Sequence, residues 1–147
     1  MKIHVFMLIV VLLLFVGGCI SQNQDIIKAK KIMDYDQHKY DNTPATGTMV
    51  DGVRVIHLKA SQFAFDPVLI IVNKGEKIKL IIEAIDVPHG FEIEGYDIPG
   101  YDINTVIRKG IPLEITFMAD HEGVWEFLCT IYCGYGHSHM SGVFVIR

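Results

Sequence analysis

The 147-residue sequence holds only three cysteines, one tryptophan and no Cys-x-x-Cys-His run. The missing run excludes the usual covalent attachment of haem. The longest apolar stretch, close to the N-terminus, extends for about sixteen residues, short of the roughly 20 that a membrane-spanning helix requires. Basic charge is scarce as well. From Asp51 to Arg147 there are 8 Lys and Arg against 13 Asp and Glu, a net charge of −5, and neither basic type occurs between Lys79 and Arg108. With that balance and no basic patch, nucleic-acid binding is excluded as a function. Helical periodicity is also lacking: beyond Asp51 no segment keeps a 3.6-residue apolar spacing over three turns.

What is present fits one domain of ordinary size with a short appendage, since half of the residues are hydrophobic and 20% are charged. Residues 1–19 read as a targeting element. Lys2 supplies positive charge, Val5 to Val16 an apolar run, and Val16-Gly17-Gly18-Cys19 ends it in small residues before a cysteine. This resembles a lipoprotein signal with Cys19 as the lipidated residue, and an uncleaved membrane anchor is the competing reading. Either one tethers the remainder to a membrane, outside the cytoplasm. Residues 20–50 read as a polar tether, with Lys28, Lys30, Lys31 and Lys39 balancing Asp25, Asp34, Asp36 and Asp41. A short helix over 26–33 is compatible with the pattern, and Asn42 to Gly47 is rich in breakers.

Residues 51–147 change texture to short extended segments between turn signals, the pattern of an all-β sandwich. Strands are expected over Val53 to Lys59, from Gln62 to Phe65, over Val68 to Val72, and from Val124 to Leu128. A closing strand is expected over Val143 to Ile146. The clearest alternations set Ile78, Leu80 and Ile82 on one face, and Leu113, Ile115 and Phe117 on another. Trp125 shares a strand face with Phe127 and reads as core.

The chemistry is concentrated between Cys129 and Met140, which read Cys-Thr-Ile-Tyr-Cys-Gly-Tyr-Gly-His-Ser-His-Met. Thiols, imidazoles and a thioether are soft or borderline donors that select copper over magnesium or calcium. A one-copper electron-transfer site uses one thiolate, two imidazoles and a weak thioether, and this loop has a thiolate to spare. Two thiolates can each bridge a pair of coppers. A mixed-valence pair carries about +3 and the thiolates return 2, so the core cycles between roughly +1 and neutral.

The pattern Cys129-x-x-x-Cys133-Gly134-x-x-His137-x-x-Met140, with Asp86-Val87-Pro88-His89-Gly90-Phe91 and Gln62 to Pro67 before it, resembles the dinuclear CuA domain of cytochrome c oxidase subunit II. The resemblance implies a cupredoxin-type Greek-key sandwich and a centre of two copper ions. One copper would take His89, Cys129, Cys133 and Met140. The other would take Cys129, Cys133, His137 and the main-chain oxygen of Ile131. The sequence departs from the family at position 131, where Glu, Gln or Trp is usual, and in lacking the paired membrane helices that precede many such domains. A short relative or a free-standing copper domain is therefore expected.

Several functions follow from this reading. The leading one is an electron-receiving component of a cytochrome c oxidase-type complex, with a soluble donor such as cytochrome c and subunit I as acceptor. A membrane-tethered free carrier serving another reductase, a copper-handling protein, and a structural zinc site made of two thiolates and two imidazoles are the alternatives. A Cys129–Cys133 disulfide and simple core packing of Met140 are the plain structural readings. His139, His4, His38, His57 and His121 are assigned no ligand role. Glu83, Asp86, Glu92, Glu94, Asp97 and Asp102 bracket His89 and suggest an acidic rim that steers a basic donor.

Overall fold

The computed structural model describes residues 37–147, and among them nine strands form two packed sheets. In chain order these are β1 (Thr48–Val50), β2 (Val53–Ser61), β3 (Ala64–Asp66), β4 (Leu69–Val72) and β5 (Lys77–Ala84), then β6 (Glu92–Ile93), β7 (Leu113–Met118), β8 (Gly123–Leu128) and β9 (Ser141–Ile146). One sheet has the order β1-β2-β5-β7, with β3 also on β2, and the other has the order β4-β9-β8-β6. This is a cupredoxin-type sandwich.

Period-two alternation explains which faces meet. In β5 Ile78, Leu80, Ile82 and Ala84 are buried while Lys77, Lys79, Ile81 and Glu83 are wholly or partly solvated. In β7 Ile115 and Phe117 turn inward, and in β2 Ile56, Leu58 and Ala60 do the same. β9 is buried at three consecutive positions because Phe144 and Ile146 face the main core while Val145, on the other face, is covered by a second cluster with Tyr40 and Ile71. The two inner faces close on one apolar core.

The pairing is more mixed than an antiparallel sandwich suggests. β2 runs parallel to β5, and β4 runs parallel to β9. A parallel neighbour needs a crossover, and in both cases the chain visits the opposite sheet between the two partners.

The unit that holds the sandwich covers Gln37–Arg147, so residues 37–50, part of the expected tether, lie within it. A 3-10 turn covers Gln37–Tyr40, Tyr40 is buried against Ile71 and Val145, and Thr46 bonds to β4 through its N–H to Ile71 O at 2.7 Å. Burial of an aromatic ring and a new strand pairing recruit polar sequence that carries no alternation of its own. The expected targeting element over residues 1–19, with Cys19, the helix over 26–33 and His4 lie outside the described residues. Among the described residues no helix is long and apolar enough to cross a membrane.

Candidate metal centre

Hairpin geometry creates the site. β8 and β9 pair antiparallel up to Leu128 and Ser141, and the Cys129 N–H donates to Met140 O at 3.1 Å. Residues 129–140 are therefore a loop whose two ends are fixed by a sheet. Its second half coils through a 3-10 turn at His137–His139, with the His137 N–H on Gly134 O and the Met140 N–H on His137 O, each at 3.1 Å.

The other half comes from the segment after β5. His89 is held by a two-way main-chain bridge to Ile107, with N–H to O distances of 3.1 and 2.8 Å. It is fully buried. Gly90 follows with no side chain, and a Cβ there would sit 2.0 Å from Thr130 Oγ1 and 3.0 Å from Ile131 N. Only glycine lets this segment lie against the start of the Cys loop, and its N–H points at Cys129 Sγ from 3.5 Å.

The ligand-type atoms of His89, Cys129 and Cys133 lie within 4.8 Å of one another, and all three residues are buried. His89 Nδ1 is 3.7 Å from Cys129 Sγ. Around Cys133 Sγ lie His137 Nδ1 at 3.8 Å and Met140 Sδ at 3.7 Å. The main-chain oxygen of Ile131 is turned inward, 3.2 Å from Cys129 Sγ. The structure thus groups His89, Cys129 and Cys133, and sets His137 and Met140 beside the Cys133 sulfur and the Ile131 oxygen beside that of Cys129. His139 is not among them: it is exposed, its Nδ1 lying 3.1 Å from Ser138 Oγ. His57 and His121 are exposed as well. Trp125 is half-buried, packing edge-on to Tyr96 at a centroid distance of 5.0 Å.

The two cysteines are free thiols. Burial pushes the Cys133 thiol up to about 11, and the neighbouring Cys129 adds to the rise. Forming a thiolate here therefore calls for a compensating positive charge, which a metal cation supplies.

Asp86 gives the site its orientation. Its Oδ1 accepts from His89 Nε2 at 2.9 Å, which leaves Nδ1 facing the sulfurs. Desolvation opposes its charge, yet hydrogen bonds from the Gln62 N–H, from His89 and from the Val87 N–H outweigh that and hold it down at about 2. The sequence placed Asp86 in a steering rim, but the structure commits it to His89. The spacing Asp-x-x-His was the available signal. Gln62 opens a stretch already compared with the family, but its contact with the Cys133 carbonyl spans 71 residues and could not be read from the sequence.

Beneath the site Phe65, Phe91 and Phe127 form an aromatic cluster with centroids 5.2 to 6.2 Å apart. Phe91 and Phe127 are fully buried, each two residues from a ligand-type residue. Their packing fixes both segments to one core.

Comparison with known proteins adds the following. Residues 26–146 match the family described as cytochrome c oxidase subunit II, periplasmic domain. A cytochrome c oxidase subunit 2 of Thermus thermophilus is 30% identical over 92 residues, covering 63% of this chain and 64% of that protein. A quinol oxidase subunit 2 of Sulfolobus acidocaldarius is 31% identical over 116 residues, covering 77% of this chain and 65% of the relative. The chain therefore spans just under two thirds of the length of these two relatives. A chain from a solved heme-copper terminal oxidase dimer superposes with a TM-score of 0.54 at 20% identity, over 90% of this chain and 97% of that one. That last likeness concerns the fold.

Proposed function

The chain belongs to the cytochrome c oxidase subunit II family, matching its periplasmic domain, and on that premise we propose that residues 37–147 are an extracytoplasmic copper domain that relays electrons into a membrane-bound terminal oxidase. The observation that carries this reading is the convergence of two buried thiols with the Nδ1 of His89, within 4.8 Å. The donor set suits copper in kind: sulfur and imidazole predominate, and the nearest carboxylate, Asp86, faces the far nitrogen of His89.

Cys129, Cys133, His89, His137, Met140 and the main-chain oxygen of Ile131 would together hold two copper ions. When bound, the copper pair supplies a centre that gains and loses one electron with little change in charge at either metal. The chain's own residues do the rest. Asp86 orients the His89 ring, the β8–β9 hairpin holds both ends of the Cys loop, and the aromatic floor excludes water. Because these elements are sheet-anchored, the donors need little reorganisation between redox states.

The domain makes and breaks no substrate bonds. It receives electrons singly from a soluble donor, a basic cytochrome c in this reading, and the terminal reaction belongs to another subunit. Residues 1–19 tether it to the membrane, through lipid on Cys19 or as an uncleaved anchor.

Metal analysis of the chain expressed with copper tests the assignment. Two coppers per polypeptide are expected, and Cys129→Ser should abolish dinuclear loading. One zinc per chain, or full dinuclear loading of Cys129→Ser, contradicts it.

A further inference from the structure

The two ligand segments are joined by a third that contributes no ligand. Gln62 stands at the corner between β2 and β3. Its backbone N–H donates to Asp86 Oδ2 at 2.7 Å, and the other oxygen of Asp86 holds His89. Its side-chain amide donates to the main-chain carbonyl of Cys133. One residue thereby reaches the His89 segment with its backbone and the Cys loop with its side chain.

The glycines of the Cys loop give an independent sign of the same contact. A Cβ on Gly134 would lie 2.9 Å from Gln62 Nε2 and 2.9 Å from Phe63 Cε1. On Gly136 it would lie 2.4 Å from Phe63 Cδ2. Gly136 has φ −92°, which any residue adopts, so steric room is the reason for glycine there. The loop is bare where the corner of 62 and 63 rests on it. Gln62 itself is exposed, so hydrophobic burial does not account for its placement.

We propose that Gln62 is a positioning residue, a clasp that holds the Cys133 and His89 segments at their mutual distance before any metal arrives. Its bearing on copper rests on the function proposed above, but its mechanical effect on the thiols does not. Outer partners of this kind typically change metal affinity by about 10- to 100-fold when removed.

The test separates the two. In the metal-free protein, the reaction of Cys129 and Cys133 with an aromatic disulfide reagent reports how firmly the loop is closed. Gln62→Leu keeps the backbone bond to Asp86 and loses the amide. Gln62→Glu replaces the donor with an acceptor. Both should react about tenfold faster than the unchanged chain, with thermal midpoints shifted by no more than about 2 °C. Equal thiol rates in all three proteins overturn the clasp, as does a faster rate that merely follows a fallen midpoint. In the copper-loaded protein, Gln62→Leu should shift the sulfur-to-copper absorption bands and give up copper to a chelator about tenfold faster. Unchanged bands and transfer would confine the clasp to the apo state and overturn its role in the centre. Failure of the unchanged chain to load copper counts against the relay alone, since the thiol comparison still decides the clasp.

Discussion

At the scale of single residues, the site depends on absences as much as on donors. Gly90 is there because a methyl group would collide with Thr130 and Ile131. Gly90→Ala should prise the His89 segment off the Cys loop, at about 1–3 kcal/mol from overpacking, and should weaken copper retention. Chemical denaturation and competition with a chelator measure the two effects. Met140, only 1% exposed, lies 3.7 Å from Cys133 Sγ. Met140→Leu conserves volume, so it should cost under about 1.5 kcal/mol. It should keep both coppers and mainly move the reduction potential, because a thioether is the weak ligand. Voltammetry of the loaded variant measures this. The two thiols that converge were legible from their spacing in the loop, and His89 from the resemblance of its segment to the family. Their supports were not: the Gly90 N–H and the Gln62 amide act through contacts between distant segments.

At the scale of elements, the strands with clean alternation, β5 and β7, were readable from the chain. β1 and β6 were not, because a three-residue exposed strand and a two-residue strand carry no period. Nor was the parallel pairing of β2 with β5, which depends on where the chain goes between them. A further element is set by charge. Arg54 donates to Glu76 at 2.5 and 2.6 Å and to Thr46 O at 3.3 Å, pinning the turn after β4 and the segment before β1 to β2. The Arg54 hydrogen bonds, against a desolvation cost and with help from Asn73, hold Glu76 down at about 2. A depressed carboxyl stabilises the fold above its unfolded value, and that stability drains as pH falls through the folded one. Glu76→Gln should therefore lose about 3 kcal/mol at pH 7, and the difference should vanish as pH approaches about 2. Denaturation curves of both proteins across that range check the sign.

At the scale of the whole molecule, charge is unevenly spread. Asp102 is exposed, and Thr130 Oγ1 bonds to Ile103 O at 2.9 Å, which brings Asp102 beside the Cys loop. Glu94 and Asp97, also exposed, follow β6 away from it, since Tyr96 between them bonds to Met118 O and Asp120 at the far end of β8. With Glu94 and Asp97 turned away, the acidic rim is smaller than the sequence implied, although Asp86 stays ionised beside His89. Even so, a negative surface at the metal end should attract a basic donor at long range. The rate at which a basic cytochrome c reduces the loaded domain should fall on the order of tenfold between low and physiological salt. A rate indifferent to ionic strength removes the steering from this account.

Electron paramagnetic resonance of the oxidised, copper-loaded domain probes the two-thiolate centre most directly. Bridging by Cys129 and Cys133 predicts one unpaired electron per chain with equal hyperfine coupling to two copper nuclei. A signal localised on a single copper nucleus would contradict it.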